Sequence, residues 1–315
     1  MNIKLTETLL HKIKWNTRQR LQYIEIMAFY TGVVTRSDVA KSFGISDAAA
    51  TKDLNLYGQI APENLIYKQN VFGFVPGPAF AQALSDLSPA IILPMIAENL
   101  ATMSGPYNNN LIYGVTVDTL PLPNRLPSKE IVAQVCRAAI QKKKLNIRYK
   151  SMSDRNDEET SRIIEPHSLI NTGLRWHIRA YNEDTFDFRD FVLSRIDHAE
   201  CLTDDAESSE DYDEDWTETS TLRLAPHPKL SSKKRKALAL DYQTDNDAIK
   251  TNATDSEPNS KTTININVRR ALLGYTLQKL LVDTTADHSL NPNAHQLVII
   301  NREEIEPFAG WAFLS

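Results

Sequence analysis

The side chains best suited to chemistry lie in Arg175-Trp176-His177-Ile178-Arg179-Ala180-Tyr181. Read as a strand, the run alternates: Arg175, His177, Arg179 and Tyr181 share one face, and Trp176, Ile178 and Ala180 share the other. Packing Trp176 and Ile178 into a core presents two arginines, a histidine and a tyrosine together. Gly173 makes the preceding turn, and Arg189 and Arg195, an even number apart, share a face of the next strand candidate. Tyr149 and Ser151 close an earlier strand, and Glu165-Pro166-His167 closes another. Arginine grips phosphate in a bidentate fork. Histidine adds a donor or acceptor, and tyrosine a stacking surface and a hydroxyl. Together these groups fit a nucleotide or a short nucleic-acid segment. The competing arrangement pairs the arginines with Glu165, Asp187 and Asp190 on a solvated sheet. That is the commoner fate of one arginine; several on adjoining strands favour an anion site.

A second constellation, Val34 to Tyr57, reads as two short helices joined at Gly44-Ile45. Thr35 is a candidate N-cap with Asp38 in the reciprocal capping position. Gly44 suits the left-handed conformation that ends a helix. Ser46 caps the next helix, whose buried face is Ala50, Leu54 and Tyr57. The opposite face carries Asp47, Ala48, Thr51, Lys52 and Asn55. Small and polar residues at the exposed end of a helix suit a DNA major groove. Two helices joined at a glycine also occur in ordinary helical domains. The next segment favours DNA: β-prone Leu65-Ile66-Tyr67 and Val71-Phe72-Gly73-Phe74 flank Lys68-Gln69-Asn70, the wing of a winged helix-turn-helix. Thr51, Lys52 and Asn55 are the expected groove residues, with Ser46 and Ala48 close to the DNA. Arg18, Arg20, Arg36, Lys41 and Lys68 are expected to hold phosphates, and Gln69 and Asn70 join Lys68 at the wing.

Elsewhere the hydrophobic period marks out the remaining elements. Leu84, Leu87, Ile91, Ile92 and Met95 suggest a helical linker after the wing, and Leu111 to Val115 a strand. Ser128 to Lys144 reads as a helix. Leu145–Lys150, Arg162–Glu165, Leu169–Asn171, Arg175–Tyr181 and Phe188–Ile196 read as short strands, which suggests a small barrel or bent sheet. The acidic run between Thr203 and Trp216 reads as a solvated linker, with covering of a basic surface as the lesser alternative. Beyond it, Thr219–Leu224 is a strand, Ser231–Ala239 a helix, Asn246–Ser260 a loop, Thr262–Val268 a strand, Arg269–Val282 a helix and Gln296–Ile300 a strand. That order implies a small α/β sandwich.

The segment from Leu145 to Ile196 resembles the WYL domain of bacterial transcription regulators, a small Sm-like β-barrel. Ile147-Arg148-Tyr149, Ile164-Glu165-Pro166-His167-Ser168-Leu169, Gly173 to Tyr181 and Arg189 to Ile196 carry the resemblance. The eponymous Trp-Tyr-Leu is Trp176-His177-Ile178 here, so His177 departs from the pattern. The whole order is similar to the WYL regulators beside phage-defence operons, such as those of BREX and cyclic-oligonucleotide systems. The resemblance implies a homodimeric repressor that binds inverted-repeat operator DNA and is released by a nucleotide or nucleic-acid ligand. Carried over by position, the ligand residues are Tyr149, Ser151, His167, Arg179, Tyr181, Arg189 and Arg195; alternation independently adds His177.

The fold class expected is therefore multidomain α+β. A winged helix-turn-helix spans 1–80, a helical linker region 81–127, the Sm-like barrel with its leading helix 128–202, an acidic linker 203–218, and a C-terminal α/β dimerisation extension 219–315. A net charge of -5 counts little against nucleic acid, because eight Lys and Arg against five Asp and Glu up to Tyr57 leave that region basic. Two cysteines make no CxxC pair, and no signal-peptide pattern appears, so a cytoplasmic protein is expected. The apolar run Ala90 to Ala97 is too short to span a bilayer, so no membrane partner is expected. The sequence contains no HExxH, no phosphate-binding GxxxxGK[ST] and no GxSxG, so no enzyme, metal or cofactor is expected. The alternative function is an RNA- or single-stranded-nucleic-acid-binding adaptor using the barrel.

Overall fold

A computed structural model describes residues 13–98, 120, 123, 125–152, 160–242, 249–252 and 263–314. The expected strand Leu111 to Val115 lies outside the described residues. The chain divides into two compact units, Met1–Pro121 and Leu122–Ser315.

In the first unit, α1 (Trp15–Ile26) runs into a π-helical turn, Met27–Thr31, that ends at left-handed Gly32. Leu21, Ile24, Met27 and Ala28 are buried on its inner side. α2 (Arg36–Phe43) starts at a reciprocal cap: Asp38 N–H donates to Thr35 Oγ1 and Thr35 N–H to the Asp38 carboxylate. It ends at Gly44, φ 61°. α3 (Asp47–Ile60) is capped by Ser46 and buries Ala50, Leu54 and Tyr57. The wing follows as β1 (Leu65–Lys68) and β2 (Gly73–Pro76), antiparallel, with Gln69–Val71 as a 3-10 turn at its tip. Val34 and Phe74 exchange backbone hydrogen bonds of 2.9 and 2.8 Å, which tie the wing to the start of the helix-turn-helix. At the end of the wing, a Cβ on Gly77 would lie 2.1 Å from the Glu63 carbonyl oxygen, so only glycine fits that approach.

Residues 81–88, expected to be helical, are not; α4 begins at Pro89 and runs to Glu98. A buried carboxylate and a proline account for this. Glu25, fully buried on α1, accepts from the backbone N–H of Ala83 (2.6 Å), Leu84 (2.9 Å) and Ser85 (2.6 Å), and from the Tyr57 hydroxyl. Those bonds tie 83–85 to α1, and Pro89, which disfavours helical backbone at the residue before it, sets the start of α4.

In the second unit, α5 (Lys129–Gln141) is capped by Ser128 and by left-handed Lys142. An antiparallel five-stranded sheet follows: β3 (Lys143–Tyr149), β4 (Thr160–Asn171), β5 (Trp176–Asn182), β6 (Asp187–Val192) and β7 (Ile196–Asp205). Its order is β6-β5-β4-β3-β7. Leu145, Ile147, Ile164, Ile178, Ala180 and Phe191 form its core. Two expected strands, Arg162–Glu165 and Leu169–Asn171, are one. Pro166 is accommodated because β3 pairs with β4 only from Thr160 to Ile164, and the irregularity falls at His167. The expected strand Phe188–Ile196 stops at Val192, and Leu193–Arg195 is a 3-10 turn into β7.

The unit ends in a second five-stranded sheet, order β11-β12-β8-β10-β9, with β8 Thr219–Pro226, β9 Ile249–Asn252, β10 Thr263–Arg269, β11 Val282–Asp283 and β12 Leu297–Ile299. Helices α6 (Ser232–Asp241), α7 (Leu273–Lys279) and α8 (Arg302–Ala309) accompany it, and Leu222, Leu224, Leu273, Leu277 and Ile305 are its fully buried centre. β9 falls inside the expected Asn246–Ser260 loop, the rest of which lies outside the described residues. The expected helix Arg269–Val282 is shortened, because Leu281 takes a positive φ of 50° and Val282 pairs with Leu297.

Removing the Glu25 carboxylate strands three backbone donors and a tyrosine hydroxyl. Glu25→Ala is expected to cost about 2–4 kcal/mol in urea unfolding of the full chain followed by circular dichroism. A loss below about 0.5 kcal/mol would show that water replaces the carboxylate.

Candidate functional site

The first site is the solvent face of α3. Ser46, Asp47, Ala48, Thr51, Lys52 and Asn55 are exposed. Thr51 is tied at its hydroxyl to the Asp47 carbonyl, 2.8 Å. Arg18, Arg36, Lys41, Lys68, Gln69 and Asn70 are also exposed, and Arg36 reaches Asp47 at 3.3 Å. Arg20 departs from the expectation. Its Nε and Nη2 donate to the two Asp53 oxygens at 2.6 and 3.3 Å, and its remaining bonds go to Asn16 and Thr17. Asp53 lies on the inner side of α3 and is 5 % exposed, so Arg20 is a clamp between α1 and α3.

The second site lies on the polar face of β5, where alternation led to an open array. The structure covers that face instead. Arg179 is 6 % exposed and grips Asp213 from the acidic run: Nε to Oδ2 at 2.7 Å and Nη2 to Oδ1 at 2.9 Å. Its Nη1 reaches Asp190, its register partner on β6, at 3.2 Å. Tyr275 of α7 donates to the other Asp190 oxygen at 2.9 Å. His167, aimed by the irregularity in β4, places Nε2 3.2 Å from Asp213 Oδ2. A carboxylate only accepts, so that nitrogen carries the proton. Trp216 and Phe188 meet the His167 ring edge-on, and Tyr181 meets Phe188.

The charges are unevenly matched, one guanidinium against two carboxylates. Burial alone would raise Asp213, but hydrogen bonds from Arg179 and His167 win and hold it at about 2. For Asp190 burial wins, and its carboxyl is pushed up despite Arg179 and Tyr275. Two residues before Arg179 on the same face, His177 is 1 % exposed with Nδ1 unpartnered, its ring 5.0 Å from that of Tyr275. Burial, then the charges of Arg175 and Arg195, lower its imidazole to about 4.

Other expected ligand residues stand apart. Tyr149 is buried, accepts from Val192 N–H at 3.2 Å, and packs edge-on against Phe191. Arg189 pairs with half-buried Asp187, and the register sets it opposite Ala180 on the other face from Arg179. Arg195 leaves the strand and meets Met152, and Ser151 is half-buried beyond β3. The sequence reading missed Asp213 and Tyr275, and named Asp190 only as an arginine partner in the competing solvated arrangement. The available signal was Trp216, an aromatic closing an otherwise polar run, three residues beyond an aspartate able to cap a helical turn. Asp213 does accept from Trp216 N–H at 3.2 Å. The expected solvated linker is thus a covering segment whose aspartate is 1 % exposed.

Three family models match this chain. The BrxR transcriptional regulator winged helix-turn-helix domain matches residues 16–98, the WYL domain 130–201, and the BrxR transcriptional regulator C-terminal dimerization domain 219–305. The chain belongs to the BrxR-type WYL transcriptional regulators. The DNA-binding transcriptional repressor CapW of Stenotrophomonas maltophilia is 28 % identical over 295 residues, 94 % of this chain and 93 % of that protein. CapW of Pseudomonas aeruginosa is 29 % identical over 303 residues, 93 % of this chain and 92 % of that one. Among solved structures, proteasome accessory factor B/C of Arthrobacter aurescens aligns at 16 % identity over 94 % of this chain and 48 % of that one. Its TM-score of 0.24 is too low to carry an argument. Among the described residues, no helix is long and apolar enough to cross a membrane.

His177 gives a pH signature. It is neutral in the fold down to about pH 4, while the unfolded chain takes up its proton near pH 6.5. Its contribution is therefore complete above about pH 6.5 and falls as pH drops toward 4, by up to about 3 kcal/mol. Urea midpoints at pH 7.5 and 5 should diverge for the parent protein and converge for His177→Phe. Parallel pH dependences in the two proteins would contradict a buried neutral imidazole.

Proposed function

We propose that this chain is a sequence-specific DNA-binding repressor that acts as a homodimer on an inverted-repeat operator of a phage-defence operon. The carrying observation is the division of α3: Thr51, Lys52 and Asn55 face solvent, while Ala50, Leu54 and Tyr57 fix the opposite side. α3 enters the major groove, where Asn55 reads a base edge and Thr51 and Lys52 flank it, with Ser46 and Ala48 at the entering end. Arg18, Arg36, Lys41, Lys68, Gln69 and Asn70 hold the backbone and set the register. The repressors named among the relatives and the dimerization-domain match support this reading.

The sheet β3–β7 with α5 is read as the Sm-like barrel. The surroundings of Arg179, with His167, His177 and Tyr181, are read as the site of a nucleotide or nucleic-acid effector. To switch the repressor, that effector must bind two dimer geometries unequally.

Fluorescence anisotropy on labelled upstream DNA tests the reader. Lys52→Ala is expected to weaken binding about tenfold at 0.1 M salt and to lower the salt slope by about one. Asn55→Ala is expected to cost about 1–3 kcal/mol and to relax preference at one base position in each half-site. Unchanged affinity of both variants across a salt series would overturn the assignment of α3. Tighter binding of single-stranded RNA than of duplex DNA would favour the adaptor function.

A further inference from the structure

The effector site proposed above already holds an anion, supplied by the chain itself. Asp213 fills the fork of Arg179 with both oxygens and takes the proton-bearing nitrogen of His167. A phosphate group would seek the same donors in the same bidentate geometry. Asp213 lies between the WYL match, which ends at 201, and the dimerization match, which starts at 219. It is thus in the connection that joins the two sheets.

That connection is fastened along its length. At its start, Glu165 accepts from the N–H groups of Glu207 and Ser208. At its end, Arg269 stacks over Trp216 at 4.8 Å, and Arg270 N–H donates to the Glu218 carbonyl. Asp213 is the middle fastening, and its side chain and carbonyl also cap the helical turn Glu214–Thr217. Neighbouring Glu210, Asp211 and Tyr212 are exposed and Glu214 meets Arg270 Nη1 at 3.2 Å, so the buried fastening in the middle of the segment is Asp213.

We infer that Asp213 is a displaceable internal anion: a phosphate-bearing effector takes its place on Arg179 and His167 and frees the connection over 209–218. The inference rests on the effector site proposed above. Its physical basis is the surplus of carboxylate. Arg179 keeps Asp190 as a partner when Asp213 leaves, so the guanidinium is not stranded. The two carboxylates also repel across the guanidinium: burial first, and the charge of Asp213 among the lesser causes, raise Asp190, so the departure of Asp213 leaves Asp190 the better counter-ion. A nucleotide phosphate brings negative charge of its own to the same donors and adds stacking on Phe188 or Tyr181, which a carboxylate does not supply. The unpartnered Nδ1 of His177, on the same face of β5, offers the effector one more polar contact. Because Tyr275 of α7 also ends on Asp190, release at Arg179 reaches the C-terminal sheet by two routes.

The test compares the full-length protein with Asp213→Asn, which keeps a capping side chain and removes the charge. The probes are 5′-phosphorylated dithymidylate (pTpT) and inorganic phosphate, followed by calorimetric titration. Asp213→Asn is expected to bind pTpT at least tenfold more tightly than the parent, and the gain should vanish when Arg179→Lys is added. A matching gain for inorganic phosphate assigns the site to free phosphate; a gain confined to pTpT assigns it to a nucleotide. In the parent protein, saturating probe should speed amide hydrogen exchange at Trp216 and Thr217, the two amides capped by Asp213. This second measurement stands if the variant does not fold. Equal or absent probe binding by a folded Asp213→Asn, or unchanged exchange at those amides under saturating probe, overturns the inference. Operator binding by the parent is read alongside: its failure sinks the repressor reading and leaves the result at Asp213 intact.

Discussion

The second unit turns on one guanidinium. Arg179 is out of water, and a buried cation persists only when carboxylates or strong acceptors surround it. Asp190 comes from the neighbouring strand by register, and Asp213 from beyond the edge of the sheet. Each brings further structure with it. Asp213 carries the connection between the two sheets, and Asp190 draws the Tyr275 hydroxyl of α7. The C-terminal sheet and the strands before it are therefore joined by polar contacts that converge on Arg179, not by apolar packing alone. Apolar packing tolerates small shifts. A buried charge cluster does not, and it exists either matched or broken, which suits a switch.

The first unit follows the same logic with its polarity reversed. There a buried carboxylate, Glu25, gathers the backbone of 83–85 and the Tyr57 hydroxyl. Arg20 clamps Asp53 on the inner side of α3. Both contacts fix the helix from behind, so its outer face is left to a partner. Burial pushes the Tyr57 hydroxyl up, ahead of the opposing hydrogen bond from Asn64, so it stays protonated and can serve Glu25 as a donor.

Local chemistry made much of this legible in the sequence. Thr35 with Asp38, left-handed Gly44 and capping Ser46 act within four residues, and the structure keeps all three. The wing, the helix before the sheet and the core face of β5 follow from hydrophobic period, which is also local. What the sequence concealed depends on distant partners. Asp213 is 34 residues from Arg179 in the chain, and in composition it looks like its solvated neighbours. Arg20 resembles any basic surface residue until Asp53, 33 residues on, takes its guanidinium. Arg189 needed the β5–β6 register to reveal that it faces away from Arg179. Residues 81–88 have the apolar spacing of a helix, but 83–85 are tied to a carboxylate on another element and Pro89 sets the start of α4.

A reader helix held from behind and a sensor closed around Arg179 together make one claim, that this regulator reads a two-fold DNA site and yields to a phosphate-bearing molecule. A nuclease footprint of the purified full-length protein on the DNA upstream of its own gene, with and without pTpT, tests it most directly. The account predicts two protected half-sites related by a two-fold axis, with protection lost as pTpT is added. Protection of a single unrepeated stretch, or a two-fold footprint indifferent to pTpT, would contradict it.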